Sequence, residues 1–224
     1  MTSHHHRSQD SHEQTPTEYG QTYWDAFYNE RPSIWSGHPN PQLVAEVADL
    51  APGTALDVGC GEGADAIWLA RQGWTVTAVD ISQVALTRGA AHAVTDEASA
   101  ARITWSRQNL LEWTPPESSF DLISAQFMHL PKDEREPLFT RLAAAVAPGG
   151  TLLIVGHHPT DMESGAHRPP RTDLFYTAEE IVLLLDPEQW EIVTESRERT
   201  QDHDGASVTI HDTVLRAHRT TPAG

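Results

Sequence analysis

Ala55-Leu56-Asp57-Val58-Gly59-Cys60-Gly61-Glu62-Gly63 is the stretch that decides how this chain folds. An apolar run breaks into three glycines at alternate positions and resumes as Ala66-Ile67-Trp68-Leu69-Ala70, the pattern of a buried strand, a tight turn and an opening helix. Glycine has no Cβ, so the backbone can turn sharply and a ligand can lie close across it. The spacing is not the G-x-G-x-x-G of dinucleotide folds. Glu62 and Asp65 already complement the positive end of the helix and would repel a pyrophosphate. No G-K-[ST] follows, which excludes a P-loop.

The next apolar run, Trp74-Thr75-Val76-Thr77-Ala78-Val79-Asp80, ends in an aspartate about 20 residues beyond the turn, where such folds bind ribose hydroxyls. The two stretches together favour a ligand with an adenosine part, no phosphate and a positive centre. S-adenosylmethionine (SAM) is such a ligand. Through LDVGCGEG and VTAVDIS the chain resembles the class I SAM-dependent methyltransferases, over about Tyr23 to Arg219. The resemblance implies that Trp35 and Gly37 lie near the methionine end of SAM. It implies that Asp57 orients the turn and the SAM ammonium, that Gly59, Cys60, Gly61 and Gly63 cradle the cofactor, and that Asp80 with Ile81 meets the ribose. It assigns Asn109 to the adenine amino group, although many relatives carry Asp there, and the backbone N–H of Leu110 to the ring nitrogen.

Strand and helix patterns alternate outward from the turn. Thr54 to Val58, Thr75 to Val79, Ile103 to Ser106, Phe120 to Ala125 and Gly150 to Val155 read as strands. Ala64 to Gln72, Ser82 to Val94 and Lys132 to Val146 read as helices between them. Such alternation implies right-handed βαβ crossovers and a parallel sheet. Helix Ala178 to Leu185 then leads into Trp190 to Glu198 and Ser207 to Leu215, a late antiparallel hairpin that also matches the family's sheet. The expected fold class is α/β, a Rossmann-like doubly wound, mostly parallel seven-stranded sheet with an antiparallel C-terminal hairpin and helices on both faces. In such sheets ligands sit at the carboxyl ends of the strands. That rule collects Gly59 to Gly63, Asp80, Asn109, Ala125 to His129 and Gly156 to His158.

At 224 residues the chain suits one domain. Residues 53–219 are expected to form the methyltransferase domain, 17–52 an N-terminal helical lid segment and 1–16 a disordered polar arm. Tyr23, Trp24, Phe27 and Tyr28 fall on one stripe of a helix, facing the core or covering the cofactor. Asn40 followed by Pro41 is a natural cap and first residue for a helix from Gln42 to Leu50. The net charge of −17, from 32 acidic against 15 basic residues, disfavours nucleic acid and anionic membranes as partners. Cys60 is the single cysteine, and neither a leader nor a spanning apolar run is evident. A cytoplasmic protein is the expectation, with a homodimer left open.

Methyltransferases differ by substrate in the segment after the fourth strand, here Ser124-Ala125-Gln126-Phe127-Met128-His129-Leu130-Pro131. A D/N-P-P-Y motif that would hold a flipped base is absent. No cysteine nucleophile follows this strand, and Ala125-Gln126 offers no carboxylate for Mg²⁺. What remains is a pocket with histidines. His129, after strand four, and His157, after strand five, are the candidate bases or acceptor-orienting groups. His157 and His158 point apart on extended backbone, which argues against a metal pair. The motifs IWSGHPNPQL and SAQFMHLP, with Val155 to Pro159, resemble bacterial small-molecule methyltransferases of the thiopurine and tellurite-resistance kind. That resemblance implies a small acceptor with a thiol or other chalcogen. Transfer to oxygen or nitrogen of a small metabolite and a non-catalytic SAM-binding protein are the rival readings.

Overall fold

The computed structural model describes residues 20–30, 37–163, 171–203 and 206–221. Trp35 and the arm up to residue 16, on which two expectations fall, lie outside the described residues. The strands are β1 (Thr54–Val58), β2 (Thr75–Asp80), β3 (Ile103–Arg107), β4 (Phe120–Gln126), β5 (Val146–His157), β6 (Trp190–His203) and β7 (Ala206–Arg219). The helices are α1 (Gln21–Asn29), α2 (Pro41–Val47), α3 (Ala64–Arg71), α4 (Gln83–Ala93), α5 (Glu97–Ala100), α6 (Lys132–Ala145) and α7 (Ala178–Val182).

The seven strands form one sheet in the order β3-β2-β1-β4-β5-β7-β6, with every pair parallel except those made by β7. Strand order reverses between β1 and β4, and this crevice is where an open α/β sheet binds its ligand. Alternate residues of the central strands feed two apolar layers. Leu56, Val58, Leu152 and Ile154 pack in one layer with Leu138 and Leu142 of α6. Ala55, Leu153 and Val155 pack in the other with Leu43 of α2 and Leu69 of α3. Burial on both faces explains why these strands read as continuous apolar runs.

Local chemistry sets the helix starts. Asn40 caps α2 by accepting from the Gln42 N–H, with Pro41 in the first turn, and Ser82 caps α4 by accepting from the Ala85 N–H. The C-terminal hairpin is longer than its pattern of apolar residues suggests. β6 and β7 pair over their full length, whereas β5 pairs with β7 only from Thr151↔His218 to His157↔Asp212. The hairpin therefore overshoots the carboxyl end of β5 as a two-stranded ribbon. Beyond Glu198 the outer strand reads Arg199-Thr200-Gln201-Asp202-His203, with no apolar residue to mark its continuation in the sequence.

Candidate active site

A cavity of about 1240 Å³ opens at the carboxyl ends of β1, β2 and β4. Its floor is the glycine turn, in which Gly59, Gly61 and Gly63 all take left-handed conformations with φ of 69, 52 and 83°. Other residues adopt these angles only at a cost. The Gly59 and Cys60 N–H groups both donate to the Val79 carbonyl, at 2.9 and 3.0 Å, which ties the turn to β2. A Cβ at Gly59 would stand 2.7 Å from the Met128 sulfur, so that flexible side chain would have to shift.

Three carboxylates gather at this turn. Asp80 ends β2 and accepts from the Gly61 N–H at 2.9 Å through one oxygen and from the Ser82 N–H at 2.8 Å through the other. Each oxygen keeps a lone pair for a hydroxyl. Asp65, in the first turn of α3, accepts from the Asn40 N–H at 2.6 Å. Asp57 is 2% exposed, and its Oδ2 has no hydrogen-bond partner among the described residues. Burial pushes Asp57 well above the usual carboxylate range, with Asp65 and Asp80 adding repulsion, pushes Asp65 up to about 6, and raises Asp80. A buried acidic cluster with an orphaned oxygen is short of positive charge. The ammonium and sulfonium of SAM would supply it. Glu62, by contrast, is already committed to Arg88 at 3.0 Å. Burial and the neighbouring aspartates push the Cys60 thiol well up, which disfavours the thiolate.

The far wall is a turn after β3. Asn109 accepts from the Leu111 N–H at 3.2 Å through Oδ1, and its carbonyl accepts from Glu112 and Trp113. Asn109, Leu110 and Leu111 all line the cavity. The side chain expected at the adenine is thus partly engaged in holding its own turn. From above comes α1, docked by Asp25, which accepts from the Ser82 hydroxyl at 2.6 Å and the Val84 N–H at 3.3 Å at the start of α4. Trp24 and Tyr28 of this helix line the cavity, and Tyr28 is buried. Tyr23, on the same stripe, is 44% exposed.

The other end of the cavity is aromatic and basic. After β4 the chain turns at Phe127, whose φ of 53° is strained for a non-glycine residue, and whose N–H donates to the Val155 carbonyl at 2.7 Å. His129 and His157 stack, with ring centroids 4.8 Å apart and planes at 20°, and Phe127 meets His157 at 4.6 Å. His158 turns the other way, 2.9 Å from the Thr160 hydroxyl. Among the described residues no group of three or more His, Cys, Asp or Glu side chains is placed to hold a metal ion.

The structure brings Gly59, Cys60, Gly61, Gly63, Asp80, Ile81, Asn109, Leu110, His129 and His157 around one cavity. Asp57 lies buried beneath its floor rather than in its wall. The Ala125 side chain is fully buried in the core, and Gln126, one residue on, stands at the wall. Alternation along β4 explains the difference. Gln126 donates to the Ser124 hydroxyl at 2.9 Å, and its Oε1 has no hydrogen-bond partner among the described residues. Sequence reasoning also missed Arg199, which reaches the cavity from the overhanging hairpin. No local pattern signals it.

Residues 55–150 match a family model described as a methyltransferase domain. Over 137 residues the chain is 36% identical to trans-aconitate 2-methyltransferase of Rhizobium meliloti (strain 1021), a match that covers 58% of this chain and 47% of the relative. The chain thus spans about half the length of that curated relative. The fold resembles that in a solved structure concerned with conversion of a disulfide bond into a thioacetal group during echinomycin biosynthesis. There the TM-score is 0.67 and the identity 23%, over 91% of this chain and 93% of the other. It also resembles magnesium protoporphyrin IX methyltransferase from Synechocystis PCC 6803 with bound S-adenosylhomocysteine (SAH). That comparison gives a TM-score of 0.59 and 19% identity over 80% of each chain.

Proposed function

We propose that this protein is a SAM-dependent methyltransferase that acts on a small organic acceptor, a reading supported by the match of residues 55–150 to a methyltransferase domain. The observation that carries the reading is the division of one cavity into an acidic cradle at Asp65 and Asp80, with Asp57 buried beneath it, and an aromatic, histidine-bearing end at Phe127, His129 and His157. SAM supplies a methyl carbon activated by positive sulfur. The chain has to bind the acceptor next to that carbon, exclude water and receive the acceptor's proton.

In this reading Asp80 accepts from the ribose hydroxyls, and Asp65 meets the ammonium, with the buried Asp57 adding negative charge from beneath the floor. The Gly59–Gly63 turn lets the nucleoside lie against backbone. His129 and His157 orient the acceptor and take its proton. Alignment within a closed site provides much of the acceleration of such an in-line transfer. The finer reading is a thiol or other chalcogen acceptor, which ionises near neutral pH and needs little help from a base. Its support is the resemblance of the acceptor segment to the thiopurine and tellurite-resistance kind. Transfer to oxygen draws support from the relative named for trans-aconitate, a small acid.

The test is release of SAH from SAM and the purified chain with thiols, selenide, phenols, carboxylic acids and amines in parallel. Turnover of any of these small acceptors is expected, and the preferred nucleophilic atom identifies the subclass. A chain that binds SAM tightly and turns over nothing in the panel is a binding protein, and the proposal falls.

A further inference from the structure

Arg199 sits at the acceptor end of the cavity with no part in the reading above. Its Nε donates to Asp212 at 2.8 Å, and Asp212, fully buried, is held in turn by the Gln42 side-chain amide at 3.1 Å. Among the described residues its Nη groups make no hydrogen bond. Arg197, two residues earlier on the same strand, differs. It spends Nε on Glu195, one Nη on Gln42 and the other on Glu46, and is a saturated structural tie between the hairpin and α2. Arg199 is anchored at one position only, and its guanidinium carbon stands 5.9 Å from the centroid of the Phe127 ring.

The placement of charge agrees. The chain carries a net −17, and the acids of the cavity floor, Asp65 and Asp80, belong to the cofactor cradle. At the other end an arginine fork opens beside an aromatic surface. A guanidinium held by one nitrogen and open at the other two matches a carboxylate in two parallel hydrogen bonds.

We propose that the acceptor carries a carboxylate, that Arg199 binds it, and that the planar body of the acceptor lies on Phe127 with its nucleophilic atom beside His129 and His157. Asp212 is a positioning residue that aims the guanidinium. The inference rests on the methyl-transfer reading for what happens next to this subsite, but its own content is recognition of an acid, whichever atom receives the methyl group.

The test is calorimetric binding of benzoate, salicylate, 2-mercaptobenzoate and cinnamate to the full chain saturated with SAH, each compared with its primary amide. At least one acid is expected to bind about tenfold or more tightly than its amide. Arg199→Gln is expected to weaken that acid by about ten- to hundredfold, the range for one charged hydrogen-bonding partner, while SAH affinity stays that of the parent. Arg199→Lys restores part of the loss, since it keeps the charge without the fork. Acids and amides that bind alike, acids that do not bind, or an acid preference that survives in Arg199→Gln would each overturn the inference. Failure of the parent chain to bind SAH is a different result, which removes the methyl-transfer reading itself.

Discussion

The His129 imidazole stacks on that of His157 with centroids 4.8 Å apart, although His129 follows β4 and His157 ends β5. Parallel pairing of β4 with β5, in which Gln126 lies opposite Val155, brings those strand ends side by side. If the pair serves as base, replacing both histidines with alanine lowers kcat by about 10²- to 10⁴-fold with a hydroxyl acceptor. With a thiol assayed above its own pKa the loss is much smaller. A pH–rate profile of the double variant on each acceptor checks this, and parent rates on both would remove the histidines from the chemistry.

Asp80 has two tasks in the structure, and its variants should show both. Each oxygen of its carboxylate accepts one backbone N–H, from Gly61 and from Ser82. Asp80→Ala is expected to weaken SAM by about 1.5–3 kcal/mol, the value of a charged hydrogen-bonding group, and also to destabilise the unliganded fold by roughly 1–3 kcal/mol because two donors lose their acceptor. Calorimetry gives the first number and urea unfolding the second. Unchanged SAM affinity in a folded variant would take Asp80 out of the ribose site.

The acidic cluster makes both stability and cofactor binding depend on pH. Asp65 titrates at about 6 in the fold, above its ordinary 3.8, chiefly because of burial. Between those values the folded chain holds a proton that the unfolded chain has lost. Stability of the unliganded protein therefore falls as pH rises through that window. A cation bound beside Asp65 favours its ionised form, so SAM binding should release protons near pH 6 and weaken as pH drops below it. Titrations in buffers of different ionisation enthalpy measure the release, and Asp65→Asn should abolish most of it. A pH-independent SAM affinity across pH 5–7 would contradict the assignment of this cluster to the cofactor.

Phe127 combines a left-handed backbone with a ring packed on His157. Phe127→Gly relieves the strain, and backbone cost of this kind is of order 1–3 kcal/mol. Phe127→Ala keeps the strain and loses the ring. The glycine variant should therefore be the more stable of the two, while both raise the acceptor KM and leave SAM affinity alone. Thermal unfolding and steady-state kinetics separate the two effects.

Arg135 is 2% exposed and holds the acceptor loop from below. It donates to the Leu130 carbonyl at 2.9 Å and the Asp173 carbonyl at 3.0 Å, with its guanidinium carbon 4.6 Å from the Tyr176 ring centroid. Arg135→Met should lower stability by about 3 kcal/mol, since two charge-assisted hydrogen bonds go and two carbonyls lose their donor. Chemical denaturation is the check. An unchanged midpoint would mean that the loop and the segment at Asp173 are held by other contacts.

The cofactor end was readable before any coordinates because its signals are local. Three glycines that need positive φ, an aspartate at the end of the following strand and capping residues at Asn40 and Ser82 each act over a few positions of chain. The strands of the sheet were legible for the same reason, since burial on both faces leaves unbroken apolar runs. A one-residue step along a strand reverses the face, and only the observed pleat shows that the Gln126 side chain stands at the wall while that of Ala125 turns into the core.

Sequence by itself determined the α/β class, the glycine turn and the aspartates beside it, since backbone conformation, strand periodicity and helix capping are short-range properties written in adjacent residues. Tertiary structure alone decided that Arg199 stands at the histidine-bearing end of the cavity. The register of β5 with β7 stops at His157↔Asp212 while β6 and β7 run on, and that overhang carries Arg199 across to Phe127, a neighbour far away in sequence. Such a meeting depends on how strands from distant parts of the chain slide past one another before they pair, and no local pattern records it.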